Sequence, residues 1–62
     1  MSAEESLQRA EQLMERLEQT RARLEATTDP ETAIEVLGEL AEIAKEVEAA
    51  LAQAKREADA AG

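Results

Sequence analysis

The chain has no cysteine, no histidine, and no phenylalanine, tyrosine or tryptophan in its 62 residues. Without cysteine there is no disulfide, and without cysteine and histidine there is no ordinary structural zinc site. The missing histidine also removes the Glu-x-x-His element of carboxylate-bridged di-iron bundles, so a metal enzyme is the weakest of the available readings. Hydroxyls are confined to Ser2, Ser6, Thr20, Thr27, Thr28 and Thr32, four of them at expected helix ends where capping accounts for them. No catalytic, cofactor-binding or metal-binding residue is expected. Long apolar runs are absent too, and Met1 to Glu5 contains neither a basic segment nor an apolar one. The expectation is a cytoplasmic protein with no membrane span. Fifteen acidic against seven basic residues give a net charge of −8, which opposes attraction to phosphate backbones and anionic lipid. Direct nucleic-acid binding by this chain alone is not expected.

What remains is helix. Ser2 with Glu5 three residues on forms a capping box, and the first helix should run from about Ala3 to about Ala26. The one proline sits in Thr27-Thr28-Asp29-Pro30-Glu31. Proline disfavours α geometry in the residue before it, so a turn over about 27–29 divides the chain. Either Thr28 with Glu31 or Asp29 before Pro30 can cap the second helix, expected from about Pro30 to about Ala58 with a fraying end. A connection this short between two long helices predicts an all-α fold, an antiparallel two-helix hairpin.

Leu37, Leu40, Ala44, Val47, Leu51, Ala54 and Ala58 recur at steps of three and four, which predicts the seam of the second helix. Val36, Ile43 and Ala50 run beside it as a second stripe. The first helix offers Leu7, Ala10, Leu13, Met14, Leu17 and Leu24, with Arg21 where an apolar group is expected. The expected neighbours are Leu24 with Ala33, Leu17 with Leu40 or Ala41, Met14 with Ala44, Ala10 with Val47, and Leu7 with Leu51. The apolar face of the second helix then exceeds what the first can cover. A partner interface is expected over Val36, Leu37, Leu40, Ile43, Ala44, Val47, Ala50 and Leu51, with the outer stripe Val36, Ile43 and Ala50 exposed to it. So short a chain buries only about 60% of its unfolded surface, and without a staple its stability calls for oligomerisation into a helical bundle or docking on a protein partner.

Charges follow the same heptads. Arg9, Arg16 and Arg23 are seven apart, as are Glu4, Glu11, Glu18 and Glu25, and pairing between helices is the expected use of the arginines. Arg21 is expected to snorkel or to meet Glu35 or Glu39. Glu31, Glu35, Glu39, Glu42 and Glu46 form an acidic ridge, read as a solvated face or a docking surface for a basic partner. Gly38 interrupts the second helix at a cost of about 1 kcal/mol relative to alanine, either because another backbone approaches or because the site is open.

The segment from Leu17 to Glu25 (LEQTRARLE), the short acidic turn, Ala33-Ile34-Glu35-Val36-Leu37, Ile43-Ala44-Lys45 and Leu51-Ala52-Gln53-Ala54 together resemble the small subunit of exodeoxyribonuclease VII. The likeness spans roughly Arg9 to Ala58 if one turn residue is removed. It implies a two-helix accessory subunit without active-site residues, several copies of which coat a long helical segment of a large subunit that hydrolyses single-stranded DNA. The rival expectation is a self-assembling structural protein, a homo-oligomeric four-helix bundle with no enzymatic partner.

Overall fold

The computed structural model describes residues 2–61 as two helices, α1 (Ala3–Ala26) and α2 (Pro30–Ala61), packed along each other as a hairpin. Each boundary has a local cause. At the start of α1 the Ser2 hydroxyl accepts the Glu5 N–H at 3.1 Å, and the Glu5 carboxylate accepts the Ser2 N–H at 3.0 Å. That hydrogen bond to the Ser2 backbone is the main reason the Glu5 carboxyl titrates below its ordinary range. At the other end Thr27 is extended, its N–H donates to the Leu24 carbonyl at 3.1 Å, and its hydroxyl donates to the Arg23 carbonyl at 2.7 Å. Two open carbonyls of the last turn are thereby satisfied.

Of the two caps open to α2, the chain uses Asp29. Its Oδ2 accepts the Thr32 N–H at 2.9 Å and the Thr32 hydroxyl at 2.8 Å, while its carbonyl accepts the Ala33 N–H at 2.9 Å. Pro30 then occupies the first helical position, where a missing N–H leaves nothing unpaired. No described residue adopts a positive φ, so the turn needs no glycine. At the far end α2 runs to Ala61 rather than fraying near Ala58. Ala58, Ala60 and Ala61 have the highest helix propensity available, and no breaker stands among them.

The core is one ladder with steps of three and four on both helices. On α1 it comprises Ser6, Ala10, Leu13 and Thr20, all buried, with Leu17 and Leu24 half-buried; on α2 it comprises Val36, Ile43, Ala50 and Ala54, with Leu40 and Val47 half-buried. Ala10, Leu13 and Ala50 form one cluster against which Val47 packs. The seam expected from the sequence is thus rotated by one residue. Val36, Ile43 and Ala50 turn inward, at 1%, 2% and 5% exposure, while Leu37 and Leu51 turn out at 51% and 45%, and Ala44 and Ala58 are exposed with them. The α1 face rotates in the same sense. Leu7 and Met14 are about half exposed, and Ser6 and Thr20 stand in the core instead.

Both polar core residues are satisfied. The Ser6 hydroxyl donates to Glu57 Oε1 at 2.6 Å across the open end of the hairpin, and the Thr20 hydroxyl donates to the Arg16 carbonyl one turn back at 2.8 Å. Among the described residues no buried side-chain polar atom lacks a hydrogen-bond partner, which removes the usual penalty for polar burial. The resulting body is a ribbon of 49 × 14 × 12 Å exposing 4657 Å². A compact monomer of this mass exposes about 3,900 Å². The difference follows from the fold: two helices have one shared seam and two open sides.

Candidate functional site

Those two sides of the ribbon differ in kind. Two helices that face each other and run in opposite directions place the residue following each inward core position on the same side of the pair. The residues preceding the alternate core positions lie together on the opposite side. One side of this ribbon therefore collects Arg9, Arg16 and Arg23 from α1 with Gln53, Glu46 and Glu39 from α2. Here Arg23 pairs with Glu39 at 3.0 Å. A shallow depression near the open end is lined by Ser6, Arg9, Glu46, Ala49, Ala50 and Gln53, and another near the turn by Arg16, Gln19, Thr20, Arg23 and Glu39. Part of the acidic ridge of α2 thus meets the arginine stripe of its own chain.

The opposite side is apolar. It carries Leu7 and Met14 of α1 beside Leu37, Ala44 and Leu51 of α2, with Ile34, 69% exposed, at its α2 margin. Ile34, Leu37 and Leu51 of α2 and Leu7 and Met14 of α1 are the large apolar side chains that the hairpin leaves most open. Monomeric proteins rarely expose so long a continuous apolar strip unless something covers it. Arg21 ends the α1 row near the turn. Rather than meeting Glu35 or Glu39, it donates to Glu18 and Glu25 of its own helix. The hydrogen bond from Arg21 is the main cause of a lowered Glu18 pKa, and the bond to Glu18 is likewise the main cause of a raised Arg21 pKa.

The residues expected at a partner interface therefore divide. Leu37, Ala44 and Leu51 lie on the open apolar side, Leu40 and Val47 are half-buried in the seam, and Val36, Ile43 and Ala50 are buried against α1. Assigning that last group to an outer stripe is corrected by the fold. Either rotation uses Leu40, Val47 and Ala54, so apolar spacing alone does not separate them. The charges do, because the observed rotation sets Glu39 and Glu46 immediately beside the seam with Arg16 and Arg23, whereas the alternative carries both rows toward the outer faces. Leu7, Met14 and Ile34 belong to the open side although the sequence reading did not place them there. Their signal was available: the Leu7, Met14 row ends at Arg21, whereas the ladder from Ser6 through Leu24 continues without a charge.

Gly38 lies on the outer face of α2, two residues from both Val36 and Leu40, and a Cβ built on it meets nothing within 4 Å. Within the hairpin its site is open, and no neighbouring backbone requires the glycine. Among the described residues no group of three or more acidic side chains is placed to hold a metal ion, and no helix is long and apolar enough to cross a membrane.

Comparison of the chain with family models, curated proteins and solved structures gives no significant match.

Proposed function

We propose that this chain is a non-catalytic accessory subunit, resembling the small subunit of exodeoxyribonuclease VII, which docks through its apolar side on a large cytoplasmic nuclease subunit that degrades single-stranded DNA. The observation that carries this reading is the uncovered strip of Leu7, Met14, Leu37, Ala44 and Leu51 on a ribbon whose other side is polar. Such a strip favours a helical partner, because its residues recur at helical spacing and would interdigitate with another helix. The charge of −8 is consistent with leaving contact with DNA to the partner. Co-expression with a large exonuclease subunit tests the reading. The two should co-purify, Leu37→Asp or Leu51→Asp should release the complex, and the isolated chain should show neither nuclease activity nor appreciable DNA affinity. Absence of co-purification, with the large subunit's activity unchanged, would remove it.

The second reading is a homo-oligomeric bundle of hairpins. It is favoured by the same uncovered strip, Leu7, Met14, Leu37 and Leu51, which a second copy could also cover. Sedimentation equilibrium of the isolated chain separates the two. A stable tight dimer that a large subunit does not disrupt would favour self-assembly.

A further inference from the structure

We infer that the segment covering the apolar side is a single amphipathic helix whose edge over α1 carries lysine or arginine at seven-residue spacing. This rests on the docking reading above and specifies the partner's chemistry. The floor of the side is Leu7, Met14, Leu37, Ala44 and Leu51, and its two margins are unlike. Beyond the α1 row stand Glu4, Glu11, Glu18 and Glu25, all exposed and seven residues apart. Glu18 and Glu25 share Arg21, whereas Glu4 and Glu11 have no ion pair with any described residue. Beyond the α2 row stand Ile34, Ala41, Glu48 and Lys55, which carry no net charge. The α1 margin thus stays net negative with Arg21 counted, most openly at Glu4 and Glu11, and the other margin is neutral.

A second copy suits the α1 margin poorly. Laid with its α1 over this α1, it sets glutamates against glutamates. Laid with its α2 over this α1, it offers Ile34, Ala41, Glu48 and Lys55, which is one cation and one further anion. Each copy also brings eight negative charges. Geometry points the same way, since the floor is two parallel rows, one from each helix, with the groove of the hairpin between them. One helix seated in the groove between α1 and α2 covers the floor and reaches both margins. To span Glu4 to Glu25 it needs about 32 Å of helix at 1.5 Å per residue, or about three heptads.

The test uses the full chain and three synthetic helical peptides of three heptads. All share one leucine and alanine stripe, and they differ only in carrying lysine, glutamine or glutamate along one edge. Fluorescence anisotropy should show the lysine-edged peptide binding at least about tenfold tighter than the glutamine-edged one at low salt, as several rim ion pairs acting together would give. In 0.5 M salt that advantage should shrink. The double variant Glu4→Lys/Glu11→Lys should transfer the preference to the glutamate-edged peptide. Glu35→Lys/Glu42→Lys, which changes net charge equally away from the apolar side, should leave the original preference in place.

Equal affinity for the lysine and glutamine edges would overturn the inference while leaving the docking reading intact, provided Leu51→Asp abolishes both. Loss of the preference in Glu35→Lys/Glu42→Lys would overturn it as general attraction to an acidic protein. If no peptide binds and the chain sediments as a dimer that Leu51→Asp dissociates, the occupant is a second copy. If no peptide binds and the chain is a monomer, the inference also falls, and co-purification with the large subunit then decides the docking reading separately.

Discussion

The two sides of this ribbon are made by the same heptads and do opposite things. On one side Arg9, Arg16 and Arg23 lie across from Gln53, Glu46 and Glu39; on the other, Leu7 and Met14 lie beside Leu37, Ala44 and Leu51. The polar side places opposite charges of the two helices on one flank, where Arg23 pairs with Glu39. The apolar side contributes little to the closed hairpin, because its side chains remain about half exposed. One flank of the seam thus carries charge paired within the chain, and the other carries the apolar surface on which the docking proposal rests. A domain with so few large buried side chains thereby keeps a defined pairing of its helices while leaving apolar side chains open.

The largest expected effect separates the seam from the apolar side. Ile43 is 2% exposed inside the hairpin, so Ile43→Asp buries an unpaired charge and should cost about 4 kcal/mol or more. A chain of this length has about 3–9 kcal/mol of stability in total. Circular dichroism should therefore show most helix content lost. Leu37→Asp and Leu51→Asp, at exposed positions, should change the stability of the monomer by about 0.5 kcal/mol or less while abolishing binding. Helix loss of similar size in all three variants would break the comparison.

Ser6 offers the next largest effect. Ser6→Val removes the donor to Glu57 Oε1 and adds a methyl group at a buried position, which together should destabilise the hairpin by about 1–3 kcal/mol in a thermal melt. Ser6→Ala should fall at the lower end of that range. A neutral result would show that the hydrogen bond at the open end contributes nothing to holding the seam together.

Gly38 sharpens the comparison in the opposite direction. Because a Cβ there meets nothing, Gly38→Ala should stabilise the hairpin by about 1 kcal/mol, read as a higher urea midpoint at unchanged slope. Partner binding should be unaffected if the occupant stays over Leu37 and Ala44. Weakened binding in the more stable variant would mean that a partner backbone comes close to Gly38.

Much of the fold could be read from the sequence, and the reasons are local. The Ser2–Glu5 capping box, Pro30 and the unbroken three-and-four spacing each act within one or two turns, so each specifies a helix or its end without knowledge of the rest. The rotation of the seam is a property of two helices at once. Reading apolar residues alone favoured Leu7, Met14, Leu37 and Leu51 for the core, because leucine and methionine outrank serine and threonine in hydrophobicity. Ser6 and Thr20 reverse that choice only through hydrogen bonds to Glu57 and to the Arg16 carbonyl. The Ser6 bond cannot be seen until the hairpin is closed, and the Thr20 bond, though local to α1, does not by itself say which face of the helix is inward. The expected surplus apolar surface does exist, on the flank of α2 opposite the one assigned, and α1 shares it.

Arg23 and Glu39 provide a smaller test of the polar side. Their side chains are more than half exposed, so Arg23→Ala should cost about 0.5 kcal/mol or less, and the loss should vanish at high salt. The informative variant is the triple reversal Arg9→Glu, Arg16→Glu and Arg23→Glu. If these arginines set the rotation, repulsion from Glu39 and Glu46 should turn α2 toward the alternative seam, with Leu37, Ala44 and Leu51 inward. Cysteine accessibility at position 37 against position 36 would report the exchange. Unchanged accessibility would assign the rotation to the packing of Val36 and Ile43 alone.

Acid should have the smallest effect, and it should act at the helix starts before it reaches the seam. The Asp29 carboxyl is held below its ordinary range chiefly by the Thr32 N–H it accepts, and Glu5 is lowered by its bond to the Ser2 backbone. For a carboxyl with a depressed folded pKa, the stabilisation is fully present above the unfolded value and is lost as pH falls through the folded one. These caps should therefore survive the upper part of the carboxylate range and weaken only below it. Asp29→Asn retains a side-chain oxygen acceptor without a proton to gain. Helix content in that variant should lack the acid-dependent step that wild type shows at the start of α2, resolved by amide exchange at Thr32 and Ala33. If both proteins lose protection there at the same pH, the cap is not what acid removes, and loss would have to begin at the seam itself, where Val36 and Ile43 carry no titratable group.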